Sequence, residues 1–421
     1  MPVSRNELIY RHLGLVPGLG MHNQDGQHSV VESSVMASYK WAYDEGDNLM
    51  DDITSTNGST SYLSASNGVQ LEIQGASGDK QVRQTHERFR YIPGKFTSVK
   101  IGIRGLVKDG VKWWVGMYEG DDIDDGTYLL VEDGVAYHVV RSTASGSLVE
   151  RKVSQKNWNQ DRLNKPINRR KSFSNEKLDV SKIQMVSLVV NWYGAGESSL
   201  YFKIGGRWIL ANTIHAGNII EQPIYGEPTL PVQLGIENTS ATGETSSINF
   251  YGISVETGGD LTDIGVPHSV LRDDSVSAGT TEYTSVLAIQ PKTILKTKKN
   301  RRTFRPTSIS LFAESNPAAV KIIRNATITA AEPGWTSVHP DSGMNYSTSI
   351  DADFSGGREV GGGGFVATGQ GGRSGVAQAQ PRTRFPLTIN ADGTVSDSII
   401  VAAKGIGQAS DVRAQIDWIE I

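Results

Sequence analysis

The sequence predicts an all-β protein, and two observations carry that reading. The first is spacing: apolar side chains recur at every second position in run after run. Val99, Ile101 and Ile103 alternate with Lys100, Gly102 and Arg104. Val135, Tyr137 and Val139 repeat the pattern, as do Leu200, Phe202 and Ile204. Near the end, Val412, Ala414, Ile416 and Trp418 face one way and Arg413, Gln415 and Asp417 the other. Period two is the signature of a strand with one face turned to a core. The second observation is punctuation. Asn-Gly, Asp-Gly, Pro-Gly and Gly-Gly pairs bound these runs and supply the turn geometry of β-hairpins. Many short strands with regular turns point to sandwiches or barrels rather than parallel α/β layers.

Taken in chain order, the first element is the one helix expected. Ser4 and Glu7 fit a capping box, and Gly14 stops a segment holding Leu8, Ile9 and Leu13. Residues 1–58 read as a docking or assembly region that includes an aromatic and acidic stretch, Tyr39, Trp41, Tyr43, Asp44, Glu45 and Asp47. Residues 59–257 hold the densest strand pattern and five of the eight tryptophans. Within them, Ile248 and Phe250 share a face, but the next such pair is Ile253 and Val255, so a bulge is expected at Gly252. Residues 258–265 are linker-like, and 266–421 form a second strand-rich region interrupted by a glycine-rich excursion from Gly356 to Gly375.

Length and composition set bounds. At about 150 residues per domain, 421 residues suggest two or three domains. Forty-one basic and 45 acidic side chains leave a formal charge of -4, too near neutral for general nucleic-acid coating. With no cysteine, disulfides, thiolate metal sites and cysteine nucleophiles are excluded. No window approaches the ~18 apolar residues of a membrane-spanning helix, and Met1 to Leu13 lacks the apolar core expected of a signal peptide.

Four features could carry chemistry. The run Glu119-Gly120-Asp121-Asp122-Ile123-Asp124-Asp125-Gly126 approaches an E-x-D-x-x-E strand motif of glycoside hydrolases, with Glu119 and Asp121 as the working carboxylates. Alternatively it offers calcium ligands in Asp121, Asp122 and Asp124, or is a solvated hairpin turn. No resident cofactor is otherwise expected. His86, His138 and His215 stand isolated in strand-like runs and read as satisfied surface or semi-buried groups. No G-x-S-x-G elbow or phosphate loop occurs; the Gly361 to Gly364 run reads as a loop or as backbone packed closely on a partner. Two basic stretches, Lys292 to Arg305 and Arg162 to Lys171, have little aromatic interleaving. They suit solvated loops or guarded sheet edges better than strand-stacking platforms, with an acidic subunit surface as the functional alternative. Finally, Trp113-Trp114, Trp192-Tyr193 and Trp208 could bind sugars. Neighbouring strand residues point to opposite faces, so at most one of each pair can be in the core, the other being exposed, covered by a loop or packed against another subunit. Trp114, Trp192 and Tyr193 are the candidate carbohydrate contacts.

Residues 84–95, QTHERFRYIPGK, then WNQD at 158–161, NWYGAGESSLYFKIGGRWILANTIHAGN at 191–218, LPVQLGIEN at 230–238 and INFYGISVE at 248–256 form an ordered series. It resembles structural proteins of tailed bacteriophages and some large DNA viruses that carry a concanavalin-like jelly-roll domain. The resemblance implies two jelly-roll-like β-sandwich domains, 59–257 and 266–421, behind the N-terminal region. It also implies a non-enzymatic virion component, most simply part of a tail fibre or baseplate, with capsid decoration or a carbohydrate-binding receptor module as alternatives. Its expected partners are other virion proteins, further copies of itself (a trimer first) and host-surface glycan. Neither nucleic acid nor membrane insertion is expected, and the site of action is the virion, assembled in the host cytoplasm.

Overall fold

The computed structural model describes residues 33–46, 49–120, 124–165, 172–259, 265–328, 334–348, 354–361, 363–367, 376–379 and 386–421. The helix expected after Ser4 lies outside them. The chain divides into two compact units, Met1–Thr262 and Asp263–Ile421. Among the described residues both are built almost wholly of antiparallel strands.

Among the described residues of the first unit, fifteen strands form two sheets. One sheet contains β1 (Ser33–Tyr39), β3 (Gly58–Leu63), β4 (Gly68–Ile73), β6 (Thr97–Arg104), β11 (Ile183–Asn191), β12 (Glu197–Ile204), β13 (Arg207–His215) and β15 (Ser246–Gly258). The other contains β2 (Met50–Thr56), β5 (Lys80–Thr85), β7 (Val111–Glu119), β8 (Asp125–Glu132), β9 (Val135–Ser142), β10 (Val149–Ser154) and β14 (Val232–Asn238). Their orders, β13-β12-β11-β6-β15-β4-β3 and β10-β9-β8-β7-β14-β5-β2, make a jelly-roll sandwich. The core lies between the two inner faces. Val99, Ile101, Ile103, Leu200 and Phe202 are all buried there, as the alternation requires.

The expected bulge is present: the β15–β6 register shifts between Phe250 and Gly252. Residues Ser246–Phe250 pair with β4, and Ile253 to Gly258 pair with β1. The extra residue thus sits where the strand changes neighbours while Ile248, Phe250, Ile253 and Val255 all stay in the core.

Two expectations need correction. Residues 33–58 are not a region apart from the sandwich. β1 and β2 are strands of its two sheets, and Tyr39, Trp41 and Met50 are buried in its core. Glu45 of the acidic stretch accepts the Tyr62 amide at 3.0 Å, and just beyond it Asp51 meets His86 at 2.7 Å and Asp52 meets the buried Arg83 at 3.2 Å. The other correction concerns β9, where Ala136, His138 and Val140 face the sandwich interior and Tyr137 and Val139 face outward. Both faces of that strand are apolar, so alternation alone cannot tell inside from outside.

The second unit is also a two-sheet sandwich. One sheet runs Val266–Leu271, Ser410–Glu420, Phe304–Ala313 and Val376–Ala379. The other centres on Thr284–Pro291, Ile399–Gly405 and Ala318–Arg324. Val412, Ala414, Ile416 and Trp418 line the core. The glycine run packs on its own chain: Gly364–Val366 pairs with Ala318–Arg324, and a Cβ on Gly363 would fall 2.7 Å from the Val320 carbonyl oxygen.

The basic stretch after Lys292 serves as an internal clasp. Glu420, only 3% exposed, accepts hydrogen bonds from Arg302 Nη1 (2.7 Å), the Gly343 amide (2.9 Å), Trp418 Nε1 (3.2 Å) and the Ser342 hydroxyl. Lys292 donates to the Ser337 hydroxyl and to the carbonyls of His339 and Ser342, and Lys296 pairs with Asp341 at 3.2 Å. Burial raises the Glu420 pKa, but the amide, hydroxyl, indole and guanidinium donors outweigh it, and the net shift is downward. A depressed carboxylate stabilises the fold above its unfolded pKa and ceases to do so as pH falls through the folded value. Glu420→Gln is therefore expected to cost this unit about 1.5–3 kcal/mol at neutral pH. In urea unfolding, that deficit should shrink as the pH drops below about 4.3.

Candidate functional site

Glu119, one of the two carboxylates expected to form a hydrolase pair, is committed to an internal ion pair. Along β7, Val111, Trp113, Val115 and Met117 point into the core, and Glu119 follows the same parity. It is 2% exposed and meets the equally buried Arg88, Nη2 to Oε1 at 2.7 Å. Asp121 and Asp122 lie outside the described residues. Asp124 accepts the Tyr118 phenol proton at 2.6 Å and pairs with Arg141 at 3.0 Å, so a guanidinium supplies the positive charge at that carboxylate. Arg141 also donates to the Tyr118 oxygen at 2.8 Å. Burial, reinforced by the bond to Asp124, pushes the Tyr118 phenol well above its ordinary pKa. Asp125 is buried as well, accepting the amides of Thr143 and Glu227. Among the described residues no three His, Asp or Glu side chains converge as metal ligands.

One cluster imitates a nucleophile and its base. His138 Nε2 lies 3.0 Å from Ser198 Oγ and 3.2 Å from Thr127 Oγ1, while Nδ1 lies 3.0 Å from Asn212 Nδ2. The hydrogen bonds decide its chemistry. The Asn159 backbone amide donates to Asn212 Oδ1 at 3.1 Å, which turns the Asn212 amino group toward the imidazole. Nδ1 must then accept, so Nε2 carries the hydrogen and cannot take the proton of Ser198. Burial pushes the His138 pKa down to about 3. This is a neutral imidazole closing a polar network inside the sandwich.

The aromatic candidates separate by face. Trp113 is in the core, its indole N–H donating to the Leu106 carbonyl at 2.8 Å. Trp114 lies on the outward face of β7, yet is only 7% exposed. It packs with Val82, Tyr118, Tyr128, Leu130 and Val139. Its Nε1 donates to Gln233 at 2.9 Å, and the Lys80 ammonium lies 5.8 Å from the ring centroid. The indole also covers Gly235 on β14, where a Cβ would come within 2.1 Å of the ring. Lys80 and Lys112 both reach Glu237, and Lys152 pairs with Glu132 while lying 4.4 Å from the Tyr137 ring. Paired charges thus roof this aromatic layer. Trp208 is partly exposed on β13, with Lys203 over it at 5.9 Å.

Trp192 and Tyr193 fall just beyond β11, so strand alternation does not govern them. Trp192 packs on the core edge, with Nε1 donating to the Tyr225 carbonyl at 2.9 Å. Tyr193 is 55% exposed and adopts φ of 35°. Tyr91, which the sequence did not single out, joins them: its ring centroid is 5.1 Å from that of Trp192 and 6.1 Å from that of Tyr193, both edge-on. The signal that could have found it is position, since Tyr91 precedes the Pro93-Gly94 turn within the segment 84–95.

The sign of the His138 effect is set by its depressed pKa. Between pH 6.5 and about 3, the unfolded chain binds a proton that the folded imidazole refuses. Stability therefore falls with acidification, by about 1.4 kcal/mol per pH unit. Replacing His138 by Asn removes this slope. The stability difference between wild type and variant should narrow by that amount per unit from pH 6 to pH 4 in urea titrations, and a pH-independent difference would show that the folded imidazole is charged.

No protein-family model matches this sequence, and no curated protein matches it. Similar solved structures include a Bacillus licheniformis beta-glucanase, 13% identical, covering 53% of this chain and 99% of the glucanase, TM-score 0.34. A legume lectin-like domain from Entamoeba histolytica is 14% identical over 54% of this chain and 98% of that one, TM-score 0.30. A cellulose-induced protein, Cip1, is 13% identical over 52% and 96%, TM-score 0.30. Likeness at this distance carries nothing about substrate or chemistry.

Proposed function

We propose that this chain is a non-catalytic structural protein of a virion, carried on the exterior of a tailed phage in a tail fibre or baseplate and assembled there as a homo-oligomer. The virion part of this reading rests on the ordered series of segments from QTHERFRYIPGK to INFYGISVE. The observation that carries the non-catalytic part is the commitment of the groups best suited to chemistry to internal bonds. Glu119 neutralises a buried arginine, Asp124 is shared by Tyr118 and Arg141, and His138 is a hydrogen-bond donor toward Ser198. Capsid decoration is the nearest rival within the same class. Carbohydrate recognition is the second reading. The exposure of Tyr193 favours it, and the burial of Trp114 moves it away from the outward face of β7.

Two measurements test this. Immunoelectron microscopy of particles with antibody to this chain should label the tail or baseplate, and label confined to the capsid lattice would replace the appendage reading with decoration. Glu119→Gln strands the Arg88 charge, so it should cost the first unit about 3–5 kcal/mol. A variant that folds as well as wild type but abolishes a polysaccharide-cleaving activity would overturn the non-catalytic reading.

A further inference from the structure

We propose that the corner formed by Tyr91, Trp192 and Tyr193 is a pyranose-stacking site in which Tyr193 presents its ring to a neutral sugar and Tyr91 holds it in place. The proposal rests on the recognition reading above and names its site and ligand class. Its starting point is a backbone outlier. A bulky aromatic residue at positive φ is disfavoured because Cβ crowds the carbonyl that follows. Tyr193 is held at 35°, and Gly194 continues at 71°. Such strain persists where the surroundings impose it, and here they do. The Gly196 amide closes the turn on the Trp192 carbonyl at 2.8 Å, and the Ile224 amide donates to the Gly194 carbonyl at 2.7 Å. Burial is the main cause of a raised pKa at the Tyr91 phenol, and a backbone hydrogen bond from Tyr193 pulls against that rise.

The result is a tyrosine more than half exposed on a turn fixed from both sides. Trp192 anchors the corner to the core, and Tyr91 stands edge-on to both neighbours. A glycine or asparagine would occupy this turn without strain; a tyrosine adds a flat apolar face and a hydroxyl. Just past the turn, Glu197 opens β12 and forms a 2.8 Å pair with His215 of the neighbouring β13, whose imidazole is half exposed. Ring face and flanking polar groups together match a sugar, whose C–H face stacks on aromatics and whose hydroxyls need hydrogen-bond partners.

The test is native gel electrophoresis of the full chain through gels containing dextran, mannan or a β-glucan, with thermal unfolding and sedimentation velocity on the same samples. Wild type should be retarded by at least one polymer. Tyr193→Asn should lose at least tenfold in apparent affinity with a Tm at or above that of wild type. Tyr91→Phe should weaken retardation while Trp208→Ala leaves it unchanged. Retardation that persists in Tyr193→Asn removes the site but leaves the recognition reading standing. Wild type unretarded by all three polymers overturns both. A Tm lowered by more than about 4 °C in Tyr193→Asn would make Tyr193 a packing residue, and a changed sedimentation coefficient would make the corner a subunit contact; either overturns the proposal.

Discussion

A strand that ends within a sandwich hands its chain to a loop just where the backbone ladder stops, and the last inward side chain has no water to turn to. Both units meet this constraint in the same way. β7 ends at Glu119, which is bound by Arg88, 31 residues earlier in the chain. Ser410–Glu420 ends at Glu420, which is bound by Arg302, Trp418, the Ser342 hydroxyl and the Gly343 amide. A buried ion pair gains little over an apolar pair of the same size, but a lone buried charge is very costly. Each carboxylate thus admits one placement of the loop that carries its partner. In the first unit that loop also places Phe89 in the core against Tyr39 and Tyr91 beside Trp192.

Much of the fold was legible because period-two spacing is a local property. The runs around Val99, Leu200 and Val412 each have their expected face in a core, and the phase slip at Gly252 marks a real change of strand partner. What spacing leaves open is which face is inside when both are apolar, as in Val135 to Val140. The role of Glu119 was hidden differently. Its parity with Val111 to Met117 was in the sequence, but the adjacent aspartates and glycines read as a turn, and Arg88 is far away along the chain. The membership of residues 33–58 in the sandwich was hidden by distance too: β1 pairs with β15 across some 220 residues (Ser33 with Gly258).

The candidate groups show how little residue type says about chemistry without the hydrogen-bond graph. Serine, histidine and asparagine meet at about 3 Å, the spacing of a working relay, yet one backbone amide from Asn159 orients the Asn212 side chain and so reverses the direction in which the imidazole can act. The aromatic residues divide on the same principle. Trp114 looked available because its neighbour Trp113 fills the core, but the lysines and glutamates beside it fold over its layer and pair among themselves. Tyr193 stayed accessible because it sits on a turn, where no adjacent strand supplies a roof.

The contact between Trp114 and Gly235 carries a consequence for how this sequence can vary. With the indole lying where a Cβ would be, no side chain can be added at 235 while the tryptophan remains. Removing the tryptophan leaves a bare stretch of β14 backbone beneath a hole. Each position is therefore closed to single changes but open to a paired one, small at 114 with branched at 235. The two sites should drift as a unit, and an exchange of bulk between them in a distant relative would preserve the same sheet without preserving either residue.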